Sequence, residues 1–165
     1  HIYKLTYNMT PIIDNIYLGN ACDASYYYRL QNNNIKYIIN VTNEIPNYFK
    51  NNFKYFNIKI NDLNQESFNE ESFQNVLQFI YNVQKKNKEQ NLTENILVHC
   101  YMGSSRSATI VLLYLLDKYK YTIEQSLDLL KNKRDIVNIN TNFLNNLKIY
   151  VETQKQEINN IKQEE

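Results

Sequence analysis

Apolar and polar positions fall into short, regularly patterned blocks along the chain. Ile12 to Leu18 holds two apolar pieces separated by Asp14 and Asn15, which predicts a hairpin before a Gly19-Asn20 turn. A helix over Asp23 to Gln31 follows. Lys36 to Val41 and Phe53 to Ile60 are rich in Ile, Tyr and Phe and read as strands, with Phe56, Ile58 and Ile60 alternating against Tyr55, Asn57 and Lys59. Ser67 and Glu70 have capping-box spacing, and Phe73, Val76, Leu77, Ile80 and Val83 then recur on one helical face until the polar run Lys85 to Asn91. Asn95 to Val98 suits a buried strand. Ser107 to Leu116 is apolar on nearly every side, as a central buried helix requires. Thr122 and Gln125 open another helix with Ile123, Leu127 and Leu130 inward, and Phe143, Leu147, Tyr150, Val151 and Ile158 mark a last one. Strands alternating with helices predict an α/β sheet covered on both faces.

One domain accommodates 165 residues, with enough chain to bury a core without disulfides or metals. No repeat or long linker interrupts it, and Asn32 to Asn34 and Asn51 to Asn52 read as loops. The formal net charge of +1, with acids and bases interleaved, argues against nucleic-acid binding by bulk charge. The longest apolar runs fall far short of the roughly 20 residues a bilayer-spanning helix needs, and no signal peptide is evident. Two His and two Cys cannot assemble a Cys/His zinc site, and one possible Cys22-Cys100 disulfide is not a secreted pattern, so a reducing compartment, cytoplasmic or nuclear, is expected. The chain opens on His1 rather than Met, as a segment of a longer chain would.

Composition sharpens the picture at one place. The chain has two His, two Cys, two Gly and three Arg against fifteen Lys and twenty-eight Asn, yet His99, Cys100, Gly103 and Arg106 all fall within HCYMGSSR. An even scatter would put fewer than one of these scarce residues there. Between a strand and a helix, such a turn forms a cradle: the backbone N–H groups of Tyr101, Met102, Gly103, Ser104, Ser105 and Arg106 can converge on a tetrahedral oxyanion, helped by the helix N-terminus. Gly103 supplies backbone freedom. Arg106 can grip two oxygens at once, which Lys cannot. The positive field favours the Cys100 thiolate, a nucleophile aimed at bound phosphorus. His99 is expected to support the loop from behind, and the Ser107 hydroxyl to hydrogen-bond the thiolate as it leaves. A buried structural Cys-His pair is the plainer alternative, and the complete string HC-x-x-G-x-x-R-S weighs against it.

That string, VHCYMGSSRSAT from Val98 to Thr109, resembles the signature of the cysteine-dependent protein phosphatases, specifically their dual-specificity branch. Ile16 to Gly19 followed by Ala24, Tyr55 to Asp62, and Arg134 to Leu147 resemble other parts of that branch in the same order, so the likeness spans about residues 11 to 152. It implies a mixed, mostly parallel sheet of about five strands flanked by helices, with the active site at a strand's C-terminal end. It also implies Cys100 as nucleophile, Arg106 as phosphate clamp, Ser107 as release aid, Asp62 as general acid and Asn140 in support, with no metal or cofactor. Asp62 ends the Ile58-x-Ile60-x-Asp62 pattern in a loop before the Ser67 helix; Glu66 is the second carboxylate to consider. Three positions depart from the pattern. Met102 stands where Ala is usual and resembles slingshot-type members, Ile139 replaces the usual Pro, and Asn142 the usual Gly.

The implied function is hydrolysis of phosphotyrosine and phosphoserine or phosphothreonine in a phosphoprotein substrate, through a phosphocysteine. Phosphoinositide phosphatases of the same superfamily often place Lys within the loop, and this loop has none. A phosphate-reading module without turnover, sulfur transfer or arsenate reduction would also use such a cradle; a cysteine protease is disfavoured because only His1 remains as a base. Cys22 is either a redox partner for Cys100 or an ordinary small residue near a helix start. The expected organisation is an N-terminal extension over 1–10, a catalytic domain over 11–152 and a C-terminal helical extension over 153–165. Arg29 and Arg134 carry no assigned chemistry.

Overall fold

In the computed structural model of the protein, residues 8–165 are described; His1 and most of the expected 1–10 extension lie outside them. Five strands form one sheet in the order β1-β2-β5-β3-β4: β1 (Thr10–Ile13), β2 (Ile16–Gly19), β3 (Ile35–Asn40), β4 (Lys54–Asn57) and β5 (Asn95–His99). Only β1 runs antiparallel, paired with β2 through a turn in which Asp14 is left-handed at φ 53°. The sheet is the mixed, mostly parallel one expected. Six helices complete the described residues: α1 (Ala21–Ala24), α2 (Tyr27–Asn32), α3 (Glu70–Gln90), α4 (Arg106–Tyr119), α5 (Ile123–Lys133) and α6 (Thr141–Glu164).

β5 is central, and its Ile-Leu-Val run is buried on both faces, as a parallel strand between helical layers requires. Period-two alternation divides the core accordingly. Ile96, Val98, Tyr37 and Ile39 face a large cluster with α3, α4, α5 and α6, while Leu97 and Ile38 face a smaller one with Ala24, Leu30 and Phe53. Helix α4 runs through the larger cluster with every residue from Arg106 to Leu116 buried.

Several boundaries differ from the sequence reading. The single helix over Asp23 to Gln31 is two: Asn20 and Asp23 form a capping box on the one-turn α1, and the Ser25 hydroxyl and amide both donate to the Cys22 carbonyl, closing it. Asn69, not Ser67, caps α3 by accepting from the Ser72 amide, since Ser67 is engaged by Asn142. β4 is shorter than Phe53 to Ile60 because, after the Ile58 amide donates to the Asn40 carbonyl, Ile58 and Ile60 turn into the core as the chain swings toward α4. Ile158 is 48% exposed because α6 continues beyond the body of the domain. The Thr122–Gln125 capping box forms as expected.

Candidate active site

The parallel register places the last residues of four strands side by side: Gly19 opposite His99, His99 opposite Asn40, and Asn40 opposite Asn57. The loop Cys100–Ser105 rises from this row and enters α4. Four consecutive loop carbonyls are held from outside. The Ala21 amide donates to Tyr101 O at 3.0 Å and the Asn138 amide to Ser104 O at 2.8 Å. Between them, Arg134 donates through Nε to Gly103 O at 2.9 Å and through Nη2 to Met102 O at 3.3 Å. In a trans peptide the N–H opposes the C=O, so pinning these carbonyls outward turns the amides of Met102, Gly103, Ser104 and Ser105 inward. Gly103 allows the bend, with φ at +69°.

At the centre of this ring sits the Cys100 sulfur, buried, accepting from the Gly103 amide at 3.3 Å and lying 3.0 Å from the Ser107 hydroxyl. Ser105 precedes α4 without capping it, so the helix presents its first amides uncapped by a side chain at the same point. His99 is buried behind the loop with Nδ1 3.2 Å from the Cys100 carbonyl. Burial pushes its imidazole down to about 4, the Arg106 charge adds to that, and the carbonyl bond opposes it. At neutral pH His99 is therefore an uncharged ring that donates to the Cys100 carbonyl.

Arg106 is buried, and its guanidinium meets Glu44 through two bonds, Nη1 to Oε2 at 2.9 Å and Nη2 to Oε1 at 2.7 Å, with a third from Nη1 to Ile60 O at 3.0 Å. Burial works against its charge, but Glu44 and the Cys100 and Asp62 charges outweigh it and hold the group above its usual range. The same bonds lower the Glu44 carboxyl, against a smaller effect of burial. One edge of the fork is thus fixed to the fold. The Nε, on the other edge, is buried and has no hydrogen-bond partner among the described residues. A phosphoryl oxygen accepting from Nε and a neighbour from Nη2 would complete the bidentate geometry.

Asp62 is brought to the cradle by Ser105 and Asn140. Its Oδ1 accepts from the Ser105 hydroxyl and from Asn140 Nδ2, both at 2.9 Å, while the Asn140 amide donates to the Ser105 oxygen at 3.1 Å. Asn140 also caps α6, accepting from the Phe143 amide at 2.9 Å. Glu66 is not brought in: it accepts from Asn61 within its own loop at 3.2 Å. The unusual Asn142 reaches from α6 to the Glu66 carbonyl and the Ser67 hydroxyl, tying the loop that bears Asp62 to the helix. Ile139 is buried apolar surface in place of the usual ring. Tyr101 and Met102 stand exposed at the rim, Ser104 is half-buried, and Cys22 is an exposed free thiol on α1.

Sequence reasoning missed Glu44 and Arg134. Arg134 is buried, spans from the loop to β1 by donating to Thr10 Oγ1 at 2.9 Å, and is one of three Arg in a Lys-rich chain, a signal that could have singled it out. Glu44 had no such signal. The role expected of Gly19 also changes: a Cβ on Gly103 would lie 2.5 Å from the Gly19 carbonyl oxygen, so the chain's two glycines pack backbone to backbone.

An α/β domain holding a thiol in an amide-lined cradle at a strand's C-terminal end defines a class of phosphate-handling proteins. Residues 16–153 match the family described as "Dual specificity phosphatase, catalytic domain", and the chain belongs to that family. It is 34% identical over 141 residues to Protein phosphatase Slingshot of Drosophila melanogaster, an alignment covering 86% of this chain and 13% of that protein. It is 34% identical over 140 residues to human Dual specificity protein phosphatase 9, covering 82% of this chain and 34% of that protein. The chain therefore spans well under two thirds of these relatives. The crystal structure of DUSP15 superposes with a TM-score of 0.80 at 27% identity, covering 95% of this chain and 96% of that one.

Proposed function

We propose that this domain hydrolyses phosphate monoesters of protein side chains, phosphotyrosine and phosphoserine or phosphothreonine alike, by way of a phosphocysteine. The observation that carries this reading is the set of four outward-pinned carbonyls around Cys100, which leaves amide donors and the Arg106 Nε converging where phosphoryl oxygens would sit. The Cys100 thiolate attacks phosphorus; an S–P bond forms as the P–O bond to the side chain breaks, and Asp62 gives its proton to the departing oxygen. Asp62 then takes a proton from water, whose oxygen attacks the phosphocysteine, and sulfur leaves as thiolate with the Ser107 hydroxyl hydrogen-bonded to it. His99, uncharged, and Asn140 position the loop and the acid. A phosphoprotein substrate and a reducing compartment, cytoplasmic or nuclear, suit such a thiolate. Tyr101, Met102, Ser104 and Ser105 offer no cation for additional phosphates, so the phosphoinositide alternative is not favoured.

The test is hydrolysis of p-nitrophenyl phosphate and of phosphopeptides by the purified chain, with inhibition by vanadate. Cys100→Ser is expected to abolish turnover and Asp62→Ala to lower it by about 10² to 10⁴ while substrate still binds. Turnover surviving Cys100→Ser refutes the mechanism, and tight phosphopeptide binding without turnover in the parent chain assigns a phosphate-reading module instead.

A further inference from the structure

Beside the phosphate cradle lies a polar cleft of about 400 Å³ that the proposed chemistry does not use, lined among others by Asn43, Glu44, Asn47, Lys50, Asn57 and Lys59. It opens at the C-terminal ends of β3 and β4, on the same edge of the sheet as the Cys100 loop. Glu44 is the wall between the two: it lines the cleft and holds Arg106.

The charge within this cleft is one-sided. Among the described residues that line it, Glu44 is the only carboxylate, and it is neutralised by the bidentate bond to Arg106. Lys50 and Lys59 are exposed, and among the described residues neither ammonium group has an ion-pair partner; the six ion pairs found involve other side chains. Ile58 and Ile60 are buried and Lys59 between them is exposed, on the segment that leads to Asp62. The basic strip continues along the β4 edge into a second cleft of about 350 Å³ that shares Lys50 and adds Lys36 and Lys54; its one carboxylate, Glu94, is bonded to Lys86 at 3.0 Å. In a chain of net charge +1, four lysines lining two clefts that share Lys50, whose lining carboxylates Glu44 and Glu94 are both ion-paired, make a local positive field.

We infer that the Lys50–Lys59 cleft is a second anion subsite that selects phosphopeptides carrying another negative group, a carboxylate or a second phosphate, a few residues from the phosphorylated side chain. This rests on the phosphatase reading above. The two lysines are solvent-exposed, so each contributes modestly, about 0.2 to 1 kcal/mol per ion pair, which as a pair is a preference of roughly twofold to thirtyfold at low salt. Being a field between exposed charges, it weakens as salt shortens the screening length.

The experiment compares kcat/KM for phosphotyrosyl peptides with Ala, Glu or phosphoserine placed at each position up to four residues on either side. The readout is the ratio of acidic to Ala peptide within each protein, at low and high salt, for the parent chain and for Lys50→Glu/Lys59→Glu. The parent is expected to prefer the acidic peptides at low salt, and the charge-reversed protein to lose or invert the ratio. Preference for phosphoserine alone assigns the subsite to doubly phosphorylated segments; preference for both assigns it to acidic segments in general. A ratio of one in the parent, or a ratio unmoved by charge reversal, overturns the inference. Failure of the parent to hydrolyse p-nitrophenyl phosphate would instead overturn the phosphatase reading.

Discussion

Gly103→Ala puts the cradle's geometry to a quantitative test. At φ +69° an L-residue is held in the left-handed region, at a cost of about 1 to 2 kcal/mol. The new Cβ would also lie 2.5 Å from the Gly19 carbonyl oxygen, 2.7 Å from its carbon and 2.7 Å from Arg134 Nη2. Backbone on one side and a buried guanidinium on the other leave little room to yield, so overpacking adds about 1 to 3 kcal/mol. The sum is roughly 2 to 5 kcal/mol, which in a domain of this size lowers the melting temperature by about 10 °C at mid-range. The same displacement moves the amide that donates to Cys100 Sγ and breaks the Arg134 bond to Gly103 O. Loss of one preorganised donor costs on the order of 10² to 10³ in rate. Gly19→Ala serves as the contrast. Its φ is not in the left-handed range, and its Cβ would meet side chains, Asp23 Oδ2 at 2.8 Å and Leu97 Cδ1 at 3.0 Å. Thermal denaturation and p-nitrophenyl phosphate kinetics on both variants are the assay. Gly103→Ala with unchanged melting temperature and turnover, or a Gly19→Ala variant equally inactive, refutes the reasoning.

Arg134→Lys is expected to lose about 2 to 4 kcal/mol, because a single ammonium cannot reach Met102 O, Gly103 O and Thr10 together and leaves buried carbonyls unpaired. Urea denaturation measures that loss, and a fall in kcat/KM beyond the unfolded fraction checks that the carbonyl pins shape the cradle; wild-type values for both would sink the assignment. His99 makes stability depend on pH. With its folded value lowered from 6.5 to about 4, the unfolded chain binds the extra proton between these limits, so stability is full above 6.5 and falls as pH drops toward 4. At pH 5 the loss is about 2 kcal/mol relative to pH 7.5. Proton NMR of the His99 ring checks the cause directly: titration above pH 6 contradicts a buried neutral imidazole.

Local pattern determined much of this protein. The near-continuous apolar runs of β3 and β5, the helical face from Phe73 to Val83 and the Thr122–Gln125 cap are written in residues that are neighbours along an element, and HCYMGSSR placed a thiol, a glycine bend and a guanidinium within one turn. Their identities alone indicated where an anion would sit. Helix starts were less legible where several polar residues competed to cap, as Ser67 and Asn69 did, and the one-turn α1 depended on a capping box whose Asp23 is buried.

Partners far apart in the chain were decided only by tertiary structure. Arg134 holds the outer carbonyls of the loop and Glu44 fixes one edge of Arg106, at separations of 31 and 62 residues. Asn140, 78 residues from Asp62, carries that carboxylate to Ser105. No local period encodes such pairings, because they arise when the parallel register lines up Gly19, His99, Asn40 and Asn57 and the loops beyond them converge. The sequence singled out Cys100 and Arg106; the fold chose what holds them, which carboxylate approaches, and that the chain's two glycines must meet.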